Sequence, residues 1–502
     1  MQYSVDDDES DWEMSFDPGR SGWGAEGGEM DDRLRLSDLG KLARRARRRV
    51  VGAARAGDRP TLTGLLAAHL GTSLADLEVV EESWPSYDLV NVQVAVDNWL
   101  SAGSRTHELV GLAHFRHEEF GLADLLRPGR EEYGPVPGNV ARVTLASGPG
   151  GQVQRAVQAG LYLVTEPDVR AAVLMLAGDP EMGGGPRLHV VADREGAAAD
   201  IATTLRDLSV QHNVFRGQVL SFGQDMFGER AAALHFHSRP ALTAEDVILP
   251  EETLAMVRRQ VVGVAEHRER LLAAGQHLKR GLLLYGPPGV GKTHTVRFLV
   301  SQLTGVTIIE LSGDALGLIS TACSVARTLQ PAMIVVEDVD LIAEDRGMHP
   351  GHHPLLFQLL NEMDGLAEDA DVVFLLTTNR ADLLEPALAS RPGRVDQAVE
   401  LDTPDPEARR RLFELYRGEL VVDRSRLGSV IDRTEGVTAS FLKELLRRAA
   451  LIAAAETDAV PLSVSADQLD AALDELLDTR NAMTRALLGG PPEPARDERH
   501  HG

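Results

Sequence analysis

Beyond Pro240 the apolar positions fall into two recurring patterns. Short continuous runs, Gly281 to Tyr285, Val306 to Leu311, Met333 to Glu337 and Val372 to Thr377, read as strands buried on both faces. Stretches with apolar residues three and four apart, such as Leu254, Val257, Val261 and Ala265, read as amphipathic helices. Strands alternating with helices predict a doubly wound parallel sheet with ligands at the strand carboxyl ends. The stretch from Glu407 to Leu487 is helical in pattern and leads into a Pro-containing tail from Pro491 to Gly502.

Upstream the pattern is less regular. Val90, Val92, Val94 and Val96 alternate and predict a strand within Glu78 to Trp99, and Arg127 to Gly138 is a Pro/Gly-rich break. After it come apolar runs at Val140 to Leu145, Leu161 to Val164, Ala171 to Leu176, Leu188 to Val191 and Gln218 to Phe222, with a helix near Ala197 to Leu208. These predict an α/β (or α+β) module. It carries no phosphate-binding fingerprint, HExxH or nucleophile elbow, and Gly183 to Gly185 reads as a turn.

Composition sharpens the boundaries. The 502 residues suggest about three folding units, and 43% apolar with 25% charged residues is an ordinary globular balance. The net charge of −25 is unevenly spread: residues 1–32 hold eleven acidic side chains against Arg20, a composition that predicts a disordered acidic arm. Between Leu39 and Gly57 there are seven basic residues and no acidic ones, with Leu39, Leu42, Ala46, Val50 and Ala53 at helical spacing. That basic helix suits a solvated face over a packed stripe, contact with the acidic arm or an acidic partner, or nucleic acid, the last disfavoured by the acidic chain. The expected domains are thus 1–32, an arm; 33–240, a substrate or partner domain with a possible subdivision near 127–138; 241–403 and 404–487, two parts of one module; and 488–502, a tail. One cysteine, Cys323, excludes an intramolecular disulfide framework. No apolar run nears the roughly 18 residues of a membrane span, and an acidic start differs from a secretory signal, so a cytoplasmic protein is expected.

Candidate chemistry is concentrated in the second half. Gly286-Pro287-Pro288-Gly289-Val290-Gly291-Lys292-Thr293 fits G-x-x-x-x-G-K-[ST] and lies between a predicted strand and a predicted helix, with His294 following. Glycines admit phosphate oxygens to backbone N–H groups, Lys292 neutralises the outer phosphates and the Thr293 hydroxyl ligates magnesium. With only four lysines in the chain, a chance match there is improbable. The run Met333 to Val336 ends in Glu337, the candidate metal-side carboxylate, and Asp338, the candidate water-side one. The next strand ends in Thr377-Thr378-Asn379-Arg380, whose amide could sense the terminal phosphate or hold the attacking water. Downstream, Arg391 and Arg394 sit in a Pro/Gly-constrained turn and suit a neighbour's nucleotide.

From about Thr243 to Arg485 the chain resembles the ATPase module of the AAA family, the group that includes proteasomal ATPases, FtsH-type membrane-bound proteases and the translocator of the mitochondrial Rieske protein. Four motifs in family order carry the resemblance: GPPGVGKT, MIVVED, TTNR and EPALASRPGRVD. It implies a P-loop NTPase sheet followed by a helical lid, ATP and magnesium as cofactors, a site between subunits and a homo-hexameric ring. By matching position Asn379 takes the sensor role and Arg391 and Arg394 the arginine-finger roles. Gly436 to Phe441 resembles the lid segment that faces the nucleotide.

Three features depart from the family pattern. Glu337 precedes Asp338 where Asp then Glu is usual, an inversion shared by some members, including the Rieske translocators. The turn at Ala389-Ser390 is one residue longer. Asp314 to Cys323 reads DALGLISTAC, without the aromatic of threading machines, leaving Leu316, Leu318 and Ile319 as aliphatic contacts. No HExxH follows the module, which speaks against a protease of the FtsH type. The leading expectation is an ATP-hydrolysing ring that remodels proteins or their complexes; a nucleic-acid remodeller and a weakly hydrolytic, ATP-gated scaffold are the alternatives. The pairs His235/His237 and His352/His353 have no evident third ligand and read as ordinary histidines.

Overall fold

Two sheets organise the protein. The computed structural model describes residues 61–113, 120–126, 135–179, 184–224, 232–340, 354–367, 370–382 and 395–478. The expected acidic arm, the basic helix and the tail lie outside the described residues. Among these residues no helix is long and apolar enough to cross a membrane.

The first sheet contains β1 (Val80–Ser83), β2 (Thr106–Ala113), β3 (Val136–Gly138), β4 (Ala141–Ala146), β5 (Val153–Thr165), β6 (Arg170–Leu176) and β7 (Arg187–Ala192). Its order is β1-β7-β6-β5-β2-β3, with β4 paired to the first half of β5, and every pairing is antiparallel. Strands and helices alternate less strictly here than in the second half, and this part of the chain is α+β. Helices Leu89–Ser101 and Ala197–Gln211 cover one face, and the leucines of Leu62–Leu70 cover the other.

Helix Leu89–Ser101 corrects the strand read from alternating valines. Leu89, Val92, Val96, Trp99 and Leu100 pack on the first sheet, while Val90 joins the core of the second. Because both sides are buried, the polar stripe that marks a surface helix is missing. Its polar residues are satisfied instead: Gln93 Oε1 accepts from Val157 N at 2.8 Å and Asn91 Oδ1 from Val214 N at 2.8 Å. At the head of this helix Asp88 accepts from Asn91 Nδ2 at 2.7 Å. Burial raises its carboxyl to about 6, against opposing effects of Asn91 and Arg206. The folded chain therefore binds this proton more tightly than the unfolded chain, a contribution complete below about pH 4 and lost as the pH rises through 6. The urea midpoint should fall between pH 4.5 and 7, and Asp88→Asn should flatten that fall; equal slopes in both proteins would refute the assignment.

The second sheet is built from β8 (Val219–Gln224), β9 (Ala232–His237), β10 (Arg280–Tyr285), β11 (Thr307–Leu311), β12 (Ala332–Val336), β13 (Val372–Thr378) and β14 (Gln397–Glu400). The order is β14-β10-β13-β12-β11-β8-β9, parallel throughout except for the β8–β9 hairpin. The sequence reading gives residues 218–222 to the N-terminal domain; the structure pairs them in parallel with β11, Val219 opposite Ile308. Arg239 stitches the hairpin down, donating to the carbonyls of Gly217, Val300 and Val306. The polypeptide thus enters this sheet before residue 240.

Four helices, Pro406–Arg417, Leu427–Arg433, Ala439–Glu456 and Ala466–Leu477, form the lid around Phe413, Phe441, Leu445 and Leu473. Two of their starts are written locally. Pro406 occupies the first turn and Asp405 caps Ala408 N, while Ser465 and Gln468 form a reciprocal capping box.

Candidate active site

Strand order reverses between β10 and β13, and the chain leaves β10 there into the loop Gly286–Gly291. Gly286, Gly289 and Gly291 have φ of 147, 83 and 110°. A Cβ at Gly286 would lie 2.1 Å from the Leu401 carbonyl oxygen, and one at Gly289 would lie 2.9 Å from Thr438 Oγ1. Side chains are therefore excluded on two sides of the loop. Val290 anchors it from beneath in the core, and the helix Lys292–Gln302 follows.

Lys292 is buried, and its ammonium donates to the carbonyls of Gly286 at 2.8 Å and Pro287 at 2.9 Å and to Asn379 Oδ1 at 2.7 Å. Burial lowers its pKa, while Asp338 and then Asp340 hold it up. Asn379 Nδ2 donates in turn to Asp338 Oδ1 at 3.2 Å. The neighbouring Thr293 side chain acts on the Glu337 carboxyl. Burial raises the Glu337 pKa; the Thr293 side chain opposes this, Asp338 adds to it and Arg297 opposes it. Magnesium at nucleotide sites is commonly held through one or two protein oxygens and the phosphates, and the Thr293 hydroxyl with the Glu337 carboxylate is a donor pair of that kind.

The turn after β12 separates the two acids. Asp338 has φ 50°, a left-handed conformation that costs a non-glycine residue about 1 kcal/mol. The bend folds the chain along the end of β13: Asp338 N donates to Thr377 Oγ1 at 3.1 Å and Val339 N to Thr377 O at 2.9 Å. Asp340, which belongs to none of the sequence motifs, is buried and accepts from Thr378 Oγ1 at 2.8 Å and Asn379 N at 3.2 Å. Its sequence signal is only a third acid two positions after a conspicuous pair.

The lid reaches the loop directly, Ser440 N donating to Gly289 O at 3.1 Å, with Gly436 turning at φ 74° just before that helix. His294 points elsewhere: its Nε2 lies 2.8 Å from the Asp246 carbonyl oxygen. His237 bonds Ser221 Oγ at 2.6 Å. Arg391, Arg394, His352 and His353 lie outside the described residues.

The segment after β11 corrects one expectation. Gly313–Leu318 is a short 3-10 helix, and Leu316 and Ile319 are buried in the core against Cys323 rather than offered as contacts. A purified preparation should therefore fail to unfold a stably folded fluorescent reporter when given ATP. Processive loss of the reporter signal would contradict this.

Residues 282–403 match the sequence model of the family described as ATPase family associated with various cellular activities (AAA). ATP-dependent zinc metalloprotease FtsH 3 of Symbiobacterium thermophilum is 30% identical over 285 residues, 54% of this chain and 43% of that protein. The corresponding FtsH of Thermus thermophilus is 32% identical over 231 residues, 43% of this chain and 37% of that protein. That of Mycobacterium tuberculosis is 30% identical over 276 residues, 52% and 35% respectively. The matches span less than half the length of each relative. The family match starts within β10 and ends just past β14, on the strands that carry the Lys292–Asn379–Asp338 connection, and this stretch of the chain is an ATPase module of the AAA type.

Proposed function

We propose that this chain is a magnesium-dependent ATP hydrolase that assembles as a homo-hexameric ring in the cytoplasm and remodels proteins or protein complexes, the N-terminal domain contacting the target. The observation that carries the hydrolase reading is the hydrogen-bonded run from Lys292 through Asn379 to Asp338, beside the Thr293–Glu337 pair. In this reading the N–H groups of Gly289 to Thr293 cradle the phosphates and Lys292 exchanges its loop carbonyls for outer phosphate oxygens. Thr293 and Glu337 hold magnesium, which when bound offsets charge on the phosphate oxygens. Asp338 takes the proton of the attacking water, and Asn379 orients that water. His294 fixes the Asp246 backbone beside the site, and Gly436 sets the lid helix against it. Arg391 and Arg394 of a neighbouring subunit supply charge in the transition state. The ring and the remodelling role rest on family resemblance.

Phosphate release tests the reading. With ATP and magnesium it should be linear, fall to background on adding EDTA and return with excess magnesium. Tight ATP binding without phosphate release would select the scaffold reading instead, favoured by the shorter acid at position 338.

A further inference from the structure

We propose that Asp340 is a positioning residue for turnover: it fixes the end of β13 so that the Asn379 carboxamide can span Lys292 and Asp338. The proposal rests on the hydrolase reading above. A buried carboxylate is unfavourable unless it is well hydrogen-bonded, so an acid is a costly choice where a neutral cap would close the turn. Here one oxygen, Oδ1, collects both available donors at the strand end, the Thr378 hydroxyl at 2.8 Å and the Asn379 N–H at 3.2 Å. The same Thr378 hydroxyl accepts from Arg380 N at 2.9 Å. Asp340 thus organises three consecutive residues, 378 to 380, centred on Asn379.

The side chain of Asn379 has two jobs in opposite directions. Its Oδ1 meets the Lys292 ammonium at 2.7 Å and its Nδ2 meets Asp338 at 3.2 Å. Both bonds can form at once only if the backbone of residue 379 is held, and β13 has ended at Thr378. Beyond that point the sheet ladder no longer supports the chain, and the bonds to Asp340 take over. Asp340 makes no hydrogen bond to the loop or to the candidate metal pair; it supports the Lys292 charge through space, and its hydrogen-bonded route to the site runs through Asn379.

A double-mutant cycle on the full chain tests this. Asp340→Ala should lower kcat about 10²-fold, a loss of the size seen when one oriented donor is removed, while KM for ATP stays within about three-fold. Asp340→Asn keeps a carbonyl acceptor and should recover kcat to within about ten-fold of the parent. Combined with Asn379→Ala, Asp340→Ala should cost nothing further. If Asp340→Ala does not fold, Thr378→Val replaces it, with a smaller kcat loss that again vanishes in the Asn379→Ala background. Losses that multiply with that of Asn379→Ala, or a raised KM at parental kcat, overturn the proposal alone. A parental protein that binds ATP and releases no phosphate overturns the hydrolase reading and this inference with it.

Discussion

Asp338→Asn should leave ATP bound and reduce turnover about 10³-fold, whereas Lys292→Ala should abolish binding. The two changes act on opposite ends of one hydrogen-bonded run, through Asn379. Asparagine at 338 has the same shape and keeps an acceptor for Asn379 Nδ2, so the geometry around Lys292 survives. It cannot take a proton, and general-base help is worth 10²- to 10⁴-fold. Lys292 is a buried cation with two hydrogen bonds to the loop and a third to Asn379. Alanine there removes the charge that would meet the outer phosphates. Titration calorimetry with ATP and a phosphate-release assay separate the outcomes, and parental turnover by Asp338→Asn would remove Asp338 from the water-side role.

Replacing Arg391 or Arg394 with alanine should cost roughly 10³-fold in turnover, the low end of what a lost arginine finger costs, with ATP affinity within a few fold. Because the proposed fingers serve a neighbour, the parental rate per subunit should also fall on dilution below the ring's dissociation range. A mixing series gives the sharpest result. Lys292→Ala subunits keep both arginines, and finger-deficient subunits keep the phosphate loop, so activity should reappear only when the two are combined. If light scattering shows mixed assemblies and activity stays absent, the arginines do not complete a neighbour's site.

The candidate nucleotide site is legible because its information is local. The spacing of Gly286, Gly291, Lys292 and Thr293 and the unbroken apolar runs before Glu337 and Asn379 each need only a few neighbouring residues to be read. Helix Leu89–Ser101 was not legible, because it lies between two cores and has no solvent-facing stripe. The same holds for β8: its partner β11 begins 88 residues later, and nothing in the run Val219 to Phe222 says which sheet will take it. Asp340 escaped for a third reason. An acid near a helix start is common, and only its burial and its bonds to the end of β13 set it apart.

The entry of β8 and β9 into the second sheet limits how this protein can be divided. A fragment beginning at residue 241 would retain every nucleotide-site residue named above, yet it would strip β11 of its neighbour and bare a row of backbone N–H and C=O groups beside Ile308 and Ile309. Such an edge invites pairing between molecules. The heritable unit of exchange is therefore not the ATPase stretch on its own. Any other N-terminal segment joined to this sheet would have to break the chain ahead of Gly217, or bring a hairpin of its own.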